Sequence, residues 1–177
     1  MNIQQATNAF KVADFVLRQD ENPNHIKCEW VSDVSEDILR DKAGRVYLLV
    51  SNGEIKKIGG SHDKGGIKST MSFYENSMTG DPSLRSYGIH ILIKEELEKG
   101  NNVELYMIRS ETFEGPVKGL FGTEMGKIVA YKEMEEKCKS DYYSREGKYP
   151  DWNFQGNGET WRADIREGWY KLNNKNS

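Results

Sequence analysis

The stretch from Gly44 to Gly60, GRVYLLVSNGEIKKIGG, constrains the fold of this chain more than any other. Val46 to Val50 is an apolar run of residues that favour β-strands. Asn52-Gly53 follows it, and this dipeptide favours a two-residue hairpin turn because both residues tolerate positive φ. The sequence therefore predicts a β-hairpin in which EIKKIGG is the return strand.

Hydrophobic periodicity predicts a mixture of helices and strands in the rest of the chain. Apolar residues at helical spacing predict a helix within residues 3–19, which ends at DENPN because Pro23 favours a turn. Alternation predicts strands at 25–31 and 102–109. Further helices are predicted at 35–44, at 67–78, in the second half of 84–100 and from Gly122 to Ser144. The alternative for the HILI segment at 90–93 is a strand.

Composition narrows the class of protein. The 177 residues carry a net charge of −3, so a nucleic-acid partner would have to bind a local basic surface. Cys28 and Cys138 lie far apart, and the three histidines are scattered, which disfavours a disulfide or a zinc site. The sequence contains neither an apolar run of roughly 20 residues nor a secretory signal, so we expect a soluble cytoplasmic protein.

Tyr47 and Lys57 lie on the two arms of the predicted hairpin. If residue 51 lies opposite residue 54, Tyr47 lies opposite 57–58, and the two side chains are near neighbours. A lysine beside a phenol favours the phenolate and lowers its pKa, which would suit a general base. The alternative from spacing alone is that Tyr47 packs in the core while Lys57 is a solvated strand residue.

Several short segments occur in the order found in a known nuclease family. VYLLV and KKIGGS are followed by GIKSTMSFY, by a late helix rich in glutamate and by YPDWN. This order resembles that of the GIY-YIG nuclease superfamily over residues 44–153. The resemblance implies an α/β (α+β) fold whose core is a small antiparallel three-stranded sheet flanked by helices. It implies a nuclease core at 44–156, an N-terminal extension (helix plus strand) at 1–43 and a C-terminal extension at 157–177, a possible DNA or dimer contact.

The resemblance also assigns the first catalytic positions. Tyr47 takes the place of the tyrosine of the first motif. Lys57 replaces the tyrosine of the second motif, a substitution that occurs in the branch of the family that includes type II restriction enzymes. Gly59 completes this motif and would let backbone or a substrate phosphate approach closely. Lys68 lies where the family has its arginine, and Arg85 is the alternative.

A single glutamate on the late helix is the metal ligand of the family. Glu133, Glu135 and Glu136 compete for this role. We select Glu135, because it is followed by apolar or aromatic residues at +3, +7 and +8, and keep Glu133 as the runner-up. Asn153 matches the asparagine that orders the site. Two histidines could aid proton transfer or be structural: His62 and His90.

The reaction implied is hydrolysis of phosphodiester bonds in double-stranded DNA with Mg²⁺ or another divalent cation such as Mn²⁺. Cutting both strands with one site per chain favours a homodimer or higher oligomer. We therefore expect an endodeoxyribonuclease, specifically a type II restriction enzyme, with Lys64, Arg162 and Arg166 as DNA contacts. The alternatives are a structure-selective, homing-type or phage nuclease of the same family, and a non-catalytic DNA-binding protein on a decayed nuclease fold.

Overall fold

The structure, a computed structural model, describes residues 1–175. These residues form a mixed α+β fold with one five-stranded sheet, one two-stranded sheet and five α-helices. The elements in chain order are β1 (Phe10–Leu17), β2 (Ile26–Trp30), α1 (Glu36–Leu39), β3 (Arg45–Ser51), β4 (Glu54–Ser61), α2 (Gly66–Glu75), α3 (Leu84–Glu98), β5 (Val103–Arg109), β6 (Thr112–Lys118), β7 (Thr123–Val129), α4 (Tyr131–Glu146) and α5 (Ala163–Lys175).

The main sheet is larger than the sequence predicts. Its strand order is β2-β1-β5-β3-β4, and every neighbouring pair is antiparallel. The predicted strands are present as β2, β3, β4 and β5, but β1 and β2 join the same sheet, because β1 pairs with both β2 and β5. The expectation of a three-stranded sheet is therefore corrected to five strands, two of which come from the residues before Gly44.

The helix predicted within residues 3–19 is wrong, since Phe10–Leu17 is a strand. The pairing of β1 with β5 shifts register between Lys11 and Ala13. This bulge lets the adjacent residues Val12 and Ala13 both be fully buried. The bulge interrupts strict alternation and leaves a spacing of apolar residues that resembles a helix.

The long helix predicted from Gly122 is also partly wrong. Thr123–Val129 is a strand that pairs with β6, and α4 begins only at Tyr131. The β6–β7 hairpin turns between Lys118 and Thr123, where Gly119 and Gly122 flank an apolar dipeptide. The helices predicted around residues 67–78 and 84–100 are confirmed as α2 and α3, and HILI lies within α3 rather than in a strand.

The two faces of the main sheet bury two apolar clusters. Tyr47 and Leu49 of β3 belong to the cluster that also contains Met71 of α2 and Ile93 of α3. Alternate residues of β3, such as Leu48, belong to a second cluster against α4, which contributes Met134, Cys138 and Tyr142. These three side chains form the inner face of α4. Within residues 1–175, no helix is both long and apolar enough to cross a membrane.

Candidate active site at the edge of β4

A bulge in the β3–β4 hairpin decides which side chains share a face. Val50 pairs with Ile55, but Leu49 pairs with Lys57, so Lys56 is the extra residue. Tyr47 therefore lies opposite Gly59, two positions beyond the predicted partner Lys57. Because side chains alternate along a strand, this shift places Lys57 on the same face as Tyr47. Tyr47 and Lys57 are therefore neighbours on one face of the sheet, as predicted, but they are diagonal neighbours rather than directly opposite each other.

Tyr47 is buried, and its hydroxyl bonds another phenol. The Tyr47 and Tyr74 oxygens lie 2.7 Å apart, and either can be the donor. Burial, with the charge and hydrogen bond of Tyr74, raises the pKa of Tyr47 well above its usual value of 10, against an opposing contribution from Arg85. The expectation that Lys57 lowers this pKa is therefore wrong: the phenol is desolvated, and its hydrogen-bond partner is Tyr74 rather than an ammonium group.

Lys57 is a buried cation at the same edge. Its exposed fraction is 6%, and it lies in the cleft with Tyr47, Arg85 and Glu135. Burial lowers the pKa of Lys57 to about 8, the positive charge of Arg85 adds to the fall, and the negative charge of Glu135 opposes it. The alternative of a solvated strand lysine is thereby excluded, because a desolvated ammonium is kept here at a cost in stability.

Two glycines of β4 make room for the reactive groups. A Cβ added at Gly59 would collide with the ring of Tyr47, and one added at Gly60 would collide with the Glu135 carboxylate. The phenol and the carboxylate approach β4 from opposite faces, since Gly59 and Gly60 point in opposite directions. The space that we expected Gly59 to leave for backbone or phosphate is taken by the Tyr47 ring.

The three candidate glutamates of α4 occupy different positions. Glu135 lines the cleft and pairs with Lys139 at 2.7 Å. Glu136 reaches the cleft with a largely exposed side chain, also bound to Lys139 at 3.0 Å. Glu133 is exposed, and the cleft lining does not include it. Of the three, Glu135 is thus the carboxylate most enclosed by the cleft.

The carboxylate oxygens in the cleft suit a hard cation that is held by few protein ligands. No cluster of three or more His, Cys, Asp or Glu that could hold a metal occurs among residues 1–175. A lone carboxylate that leaves most positions to water and substrate phosphate is the arrangement typical of Mg²⁺. Glu135 fits that description, because its carboxylate faces the cleft and is held by a single lysine.

The two candidates for the cationic role of the family arginine lie apart. Two cavities adjoin Tyr47: the cleft described above and a second cavity on the α2 side. Arg85, at the start of α3, lines both of them. Lys68 instead forms an ion pair with Glu36 and lies 5.4 Å from the centroid of the Trp30 ring. Neither cavity beside Tyr47 includes Lys68 in its lining. The structure brings Arg85 into the site and leaves Lys68 outside it.

Asn153 fixes the edge of the sheet. Its side chain accepts a hydrogen bond from the Ile58 amide at 2.9 Å and donates one to the Ile58 carbonyl at 2.8 Å. The amide of Trp152 also donates to the Lys56 carbonyl at 2.8 Å. These bonds satisfy the free edge of β4 on either side of Lys57, so they hold that lysine in place.

The remaining predicted site residues lie outside the cleft. His62 is exposed, and its ring lies 5.7 Å from that of Tyr131. His90 is buried and bonds the Tyr74 carbonyl at 2.7 Å, and burial lowers its pKa to about 4. Lys64 and Arg166 are exposed. Arg162 pairs with Glu95 and Asp164 at 2.5 Å.

Sequence analysis missed Tyr74, Lys139 and the aromatic wall of the cleft. The cleft has a volume of about 240 Å³, and its wall is formed by Tyr149, Trp152, Phe154 and Trp161. Ile67, Met71 and Tyr74 follow helical spacing, which could have placed Tyr74 on the inner face of α2. Nothing in the spacing indicated that its hydroxyl would meet that of Tyr47.

Comparison with solved structures finds a similar fold in a phage protein. The chain is similar to a mutant of bacteriophage T4 EndoII, with a TM-score of 0.54 and 18% identity over 85% of this chain and 95% of that one. The restriction endonuclease HPY188I in complex with product DNA aligns with a TM-score of 0.49 and 17% identity, over 85% and 84%. No known protein family and no curated protein matches the sequence.

Proposed function

We propose that this protein is a divalent-metal-dependent endonuclease that hydrolyses phosphodiester bonds in double-stranded DNA, and that it acts as a type II restriction enzyme. One observation carries the proposal: a single cleft at the edge of β4 is lined by a phenol, two cations and a carboxylate, namely Tyr47, Lys57, Arg85 and Glu135. These groups match the needs of phosphoryl transfer, which depends on positioning and on electrostatic stabilisation of developing charge. The nuclease-like fold supports the same conclusion.

Glu135 is the residue that would hold Mg²⁺ or Mn²⁺. When bound, such a cation polarises a phosphate oxygen and stabilises the leaving oxygen. Lys139, which now neutralises the Glu135 carboxylate at 2.7 Å, would compete for the same oxygens. Glu133 is the weaker candidate because it is exposed outside the cleft.

The residues of the chain have separable roles in the proposed reaction. Tyr47 accepts a proton from the attacking water. Lys57 and Arg85 hold the phosphate and stabilise the charge that develops on it. Arg85 suits this task better than Lys68, because a guanidinium binds phosphate bidentately and because it faces the cleft. Asn153 keeps the β4 edge, and hence Lys57, in position.

The partner and assembly follow from the same chemistry. Double-stranded DNA is the substrate, and the net charge of −3 means that contact depends on local cations such as Lys64 and Arg166. Arg162 is less available, because Glu95 and Asp164 already neutralise it. Cutting both strands with one active site per chain favours an oligomer, so we propose a homodimer or higher oligomer, and we propose a cytoplasmic location.

Cleavage of supercoiled plasmid tests the proposal directly. Wild-type protein with Mg²⁺ or Mn²⁺ is expected to produce nicked and linear DNA, whereas EDTA and Glu135→Gln are expected to abolish the products. Glu133→Gln is the matched control and should retain wild-type rates. Intact plasmid across divalent metals, with tight DNA binding preserved, would instead identify a non-catalytic DNA-binding protein.

The pattern of fragments separates the alternatives among nucleases. A restriction enzyme yields discrete fragments from linear DNA of several sequences, each cut at a short defined site. Cleavage confined to branched or flapped substrates would instead identify a structure-selective enzyme, and a single long site would identify a homing-type enzyme.

A further inference from the structure

Tyr74 is a buried polar group that none of the proposed roles uses. It lies on α2 with an exposed fraction of 4%, and its hydroxyl lies 2.7 Å from the Tyr47 hydroxyl. The two rings meet edge to face, with centroids 6.3 Å apart. Tyr74 also lines the polar cavity on the α2 side of Tyr47, beside Arg85. The first phenol of the site thus has a second phenol as its hydrogen-bond partner.

We propose that Tyr74 is a second proton-carrying residue of the site, which holds the Tyr47 hydroxyl in position and takes its proton when Tyr47 accepts one from the attacking water. This inference rests on the proposed nuclease function. The hydrogen bond of 2.7 Å gives the proton a direct path between the two oxygens. Both residues are buried, with exposed fractions of 1% and 4%, and each hydroxyl has the other within hydrogen-bond distance.

The charges around Tyr74 favour loss of its proton before that of Tyr47. Burial raises the pKa of Tyr74 above its usual value of 10, and the charge of Glu135 of α4 adds to the rise, whereas the hydrogen bond from Tyr47 and Arg85 of α3 oppose it. For Tyr47, by contrast, the bond to Tyr74 adds to the rise caused by burial. Asp63 also lines this cavity. The pair therefore ionises as one coupled unit, with the anion on Tyr74.

The proton balance of the step is simple. The reactive form of the pair carries one proton, on Tyr47, with Tyr74 as the phenolate; because the pKa of both phenols is raised, this form becomes more populated as the pH increases. The attacking water gives a proton to the Tyr47 oxygen while Tyr47 gives its own proton to Tyr74. The resulting hydroxide forms the new bond to phosphorus, and the bond to the leaving oxygen breaks with its electron pair. Both phenols are then neutral, and the proton returns to solvent before the next cycle.

The position of Tyr74 does not depend on its own hydroxyl. His90 donates a hydrogen bond from Nδ1 to the Tyr74 backbone carbonyl at 2.7 Å, and His90 Nε2 lies 3.3 Å from Nδ1 of His25. The Tyr74 ring packs in the main apolar cluster with Ile67 and Met71. Removal of the hydroxyl alone should therefore leave the backbone and ring of residue 74 in place.

Tyr74→Phe tests the role in catalysis. On plasmid DNA with Mg²⁺, we expect its turnover to fall by roughly 10²-fold, the scale of general acid–base contributions, with DNA affinity unchanged. Its pH–rate profile should shift to higher pH, because the anion must then form on Tyr47, without the hydrogen bond that the Tyr47 hydroxyl donates to the Tyr74 oxygen in wild-type protein. Tyr87→Phe, which changes a buried tyrosine of α3 instead, should have the wild-type turnover and pH–rate profile. If wild-type protein cleaves and Tyr74→Phe has the same rate and profile, Tyr74 has no such role; if wild-type protein does not cleave, the nuclease proposal itself fails.

A second measurement needs neither DNA nor metal. NMR of the full chain labelled with ¹³C at tyrosine Cζ follows the ionisation of each phenol separately. In wild-type protein the resonances of Tyr47 and Tyr74 should respond to the same ionisation, and Tyr74→Phe should move the ionisation at Tyr47 while Tyr87→Phe leaves it unchanged. Independent titration of the two phenols, unaffected by either substitution, would overturn the proposal.

Discussion

The β3–β4 and β6–β7 hairpins have strands of similar length but differ sharply in burial. In β3–β4, all seven residues of β3 are buried, whereas in β6–β7 no residue of β7 is buried. Both hairpins place glycines opposite bulky side chains, but Gly59 and Gly60 admit Tyr47 and Glu135 of the cleft, while Gly115 and Gly126 admit Ile128 and Val117 on an open surface. Burial within a larger sheet, rather than the hairpin itself, is what positions reactive groups.

The largest expected difference between the hairpins is in stability. Leu49→Ala should lower the free energy of unfolding by about 2–5 kcal/mol, because the fully buried side chain leaves a cavity in the core. Ile128→Ala, at an exposed position of β7, should change it by less than about 0.5 kcal/mol. Urea unfolding of both variants measures the two values. Equal losses would mean that β6–β7 is as well packed as β3–β4.

The second expected effect concerns the buried lysine. Because the pKa of Lys57 falls from 10.5 to about 8 on folding, the unfolded chain binds more protons between those values, and stability should rise as the pH increases through that range. Lys57→Met should abolish the rise and stabilise the protein at pH 7 by roughly 3 kcal/mol, the equivalent of that pKa change, while cleavage is lost.

Lys127→Met is the control for this effect, since Lys127 is the exposed lysine of β7. It should leave both the stability at pH 7 and its pH dependence unchanged in the same urea titrations. A wild-type stability that is flat between pH 8 and pH 10.5 would contradict the desolvation of Lys57.

The third prediction compares glycines. Gly60→Ala should reduce cleavage by roughly 10²-fold with the fold retained, because the new Cβ displaces the Glu135 carboxylate and misplacement by about 1 Å has that effect. In Gly126→Ala the Cβ would lie 2.9 Å from Cγ2 of Val117, an exposed side chain that can move away, so activity should be unchanged. Plasmid cleavage with circular dichroism on both variants provides the test.

The smallest expected effect is at the turn of β6–β7. Leu120 and Phe121 have exposed fractions of 94% and 101%, so replacing both by serine should change the stability of the monomer by less than about 0.5 kcal/mol. Thermal unfolding at several protein concentrations measures this. A melting temperature that falls with dilution in wild type but not in the variant would show that a second copy covers the turn.

The sequence predicted the elements around the site well, because strong patterns mark them. Asn52-Gly53 located the β3–β4 turn, and clean alternation located β5. The apolar spacing that followed Glu135 favoured it over Glu133, and the structure places Glu135 in the cleft. The dependence of these elements on local pattern is what made them predictable.

The errors arose where non-local contacts override local pattern. The bulge at Lys11–Ala13 in β1 imitates helical spacing, and the turn of β6–β7 lacks the asparagine-glycine dipeptide that marked the other hairpin. Arg85 could not be preferred to Lys68 by spacing, because the packing of α3 against the sheet decides which cation reaches the cleft. Tyr74 was missed for the same reason, since a contact between α2 and β3 is a tertiary property.

The extra residue Lys56 has a consequence for how such hairpins should be aligned and engineered. If Lys56 were kept and the bulge closed, Leu48 rather than Leu49 would pair with Lys57, and the ammonium group would face the apolar side chains beneath α4. Deletion of Lys56 would instead remove the bulge and leave Lys57 opposite Leu49, so the lysine should stay on the Tyr47 face. The face on which Lys57 lies therefore depends on the bulge, and such hairpins should be aligned by their strand pairing rather than by counting residues from the turn.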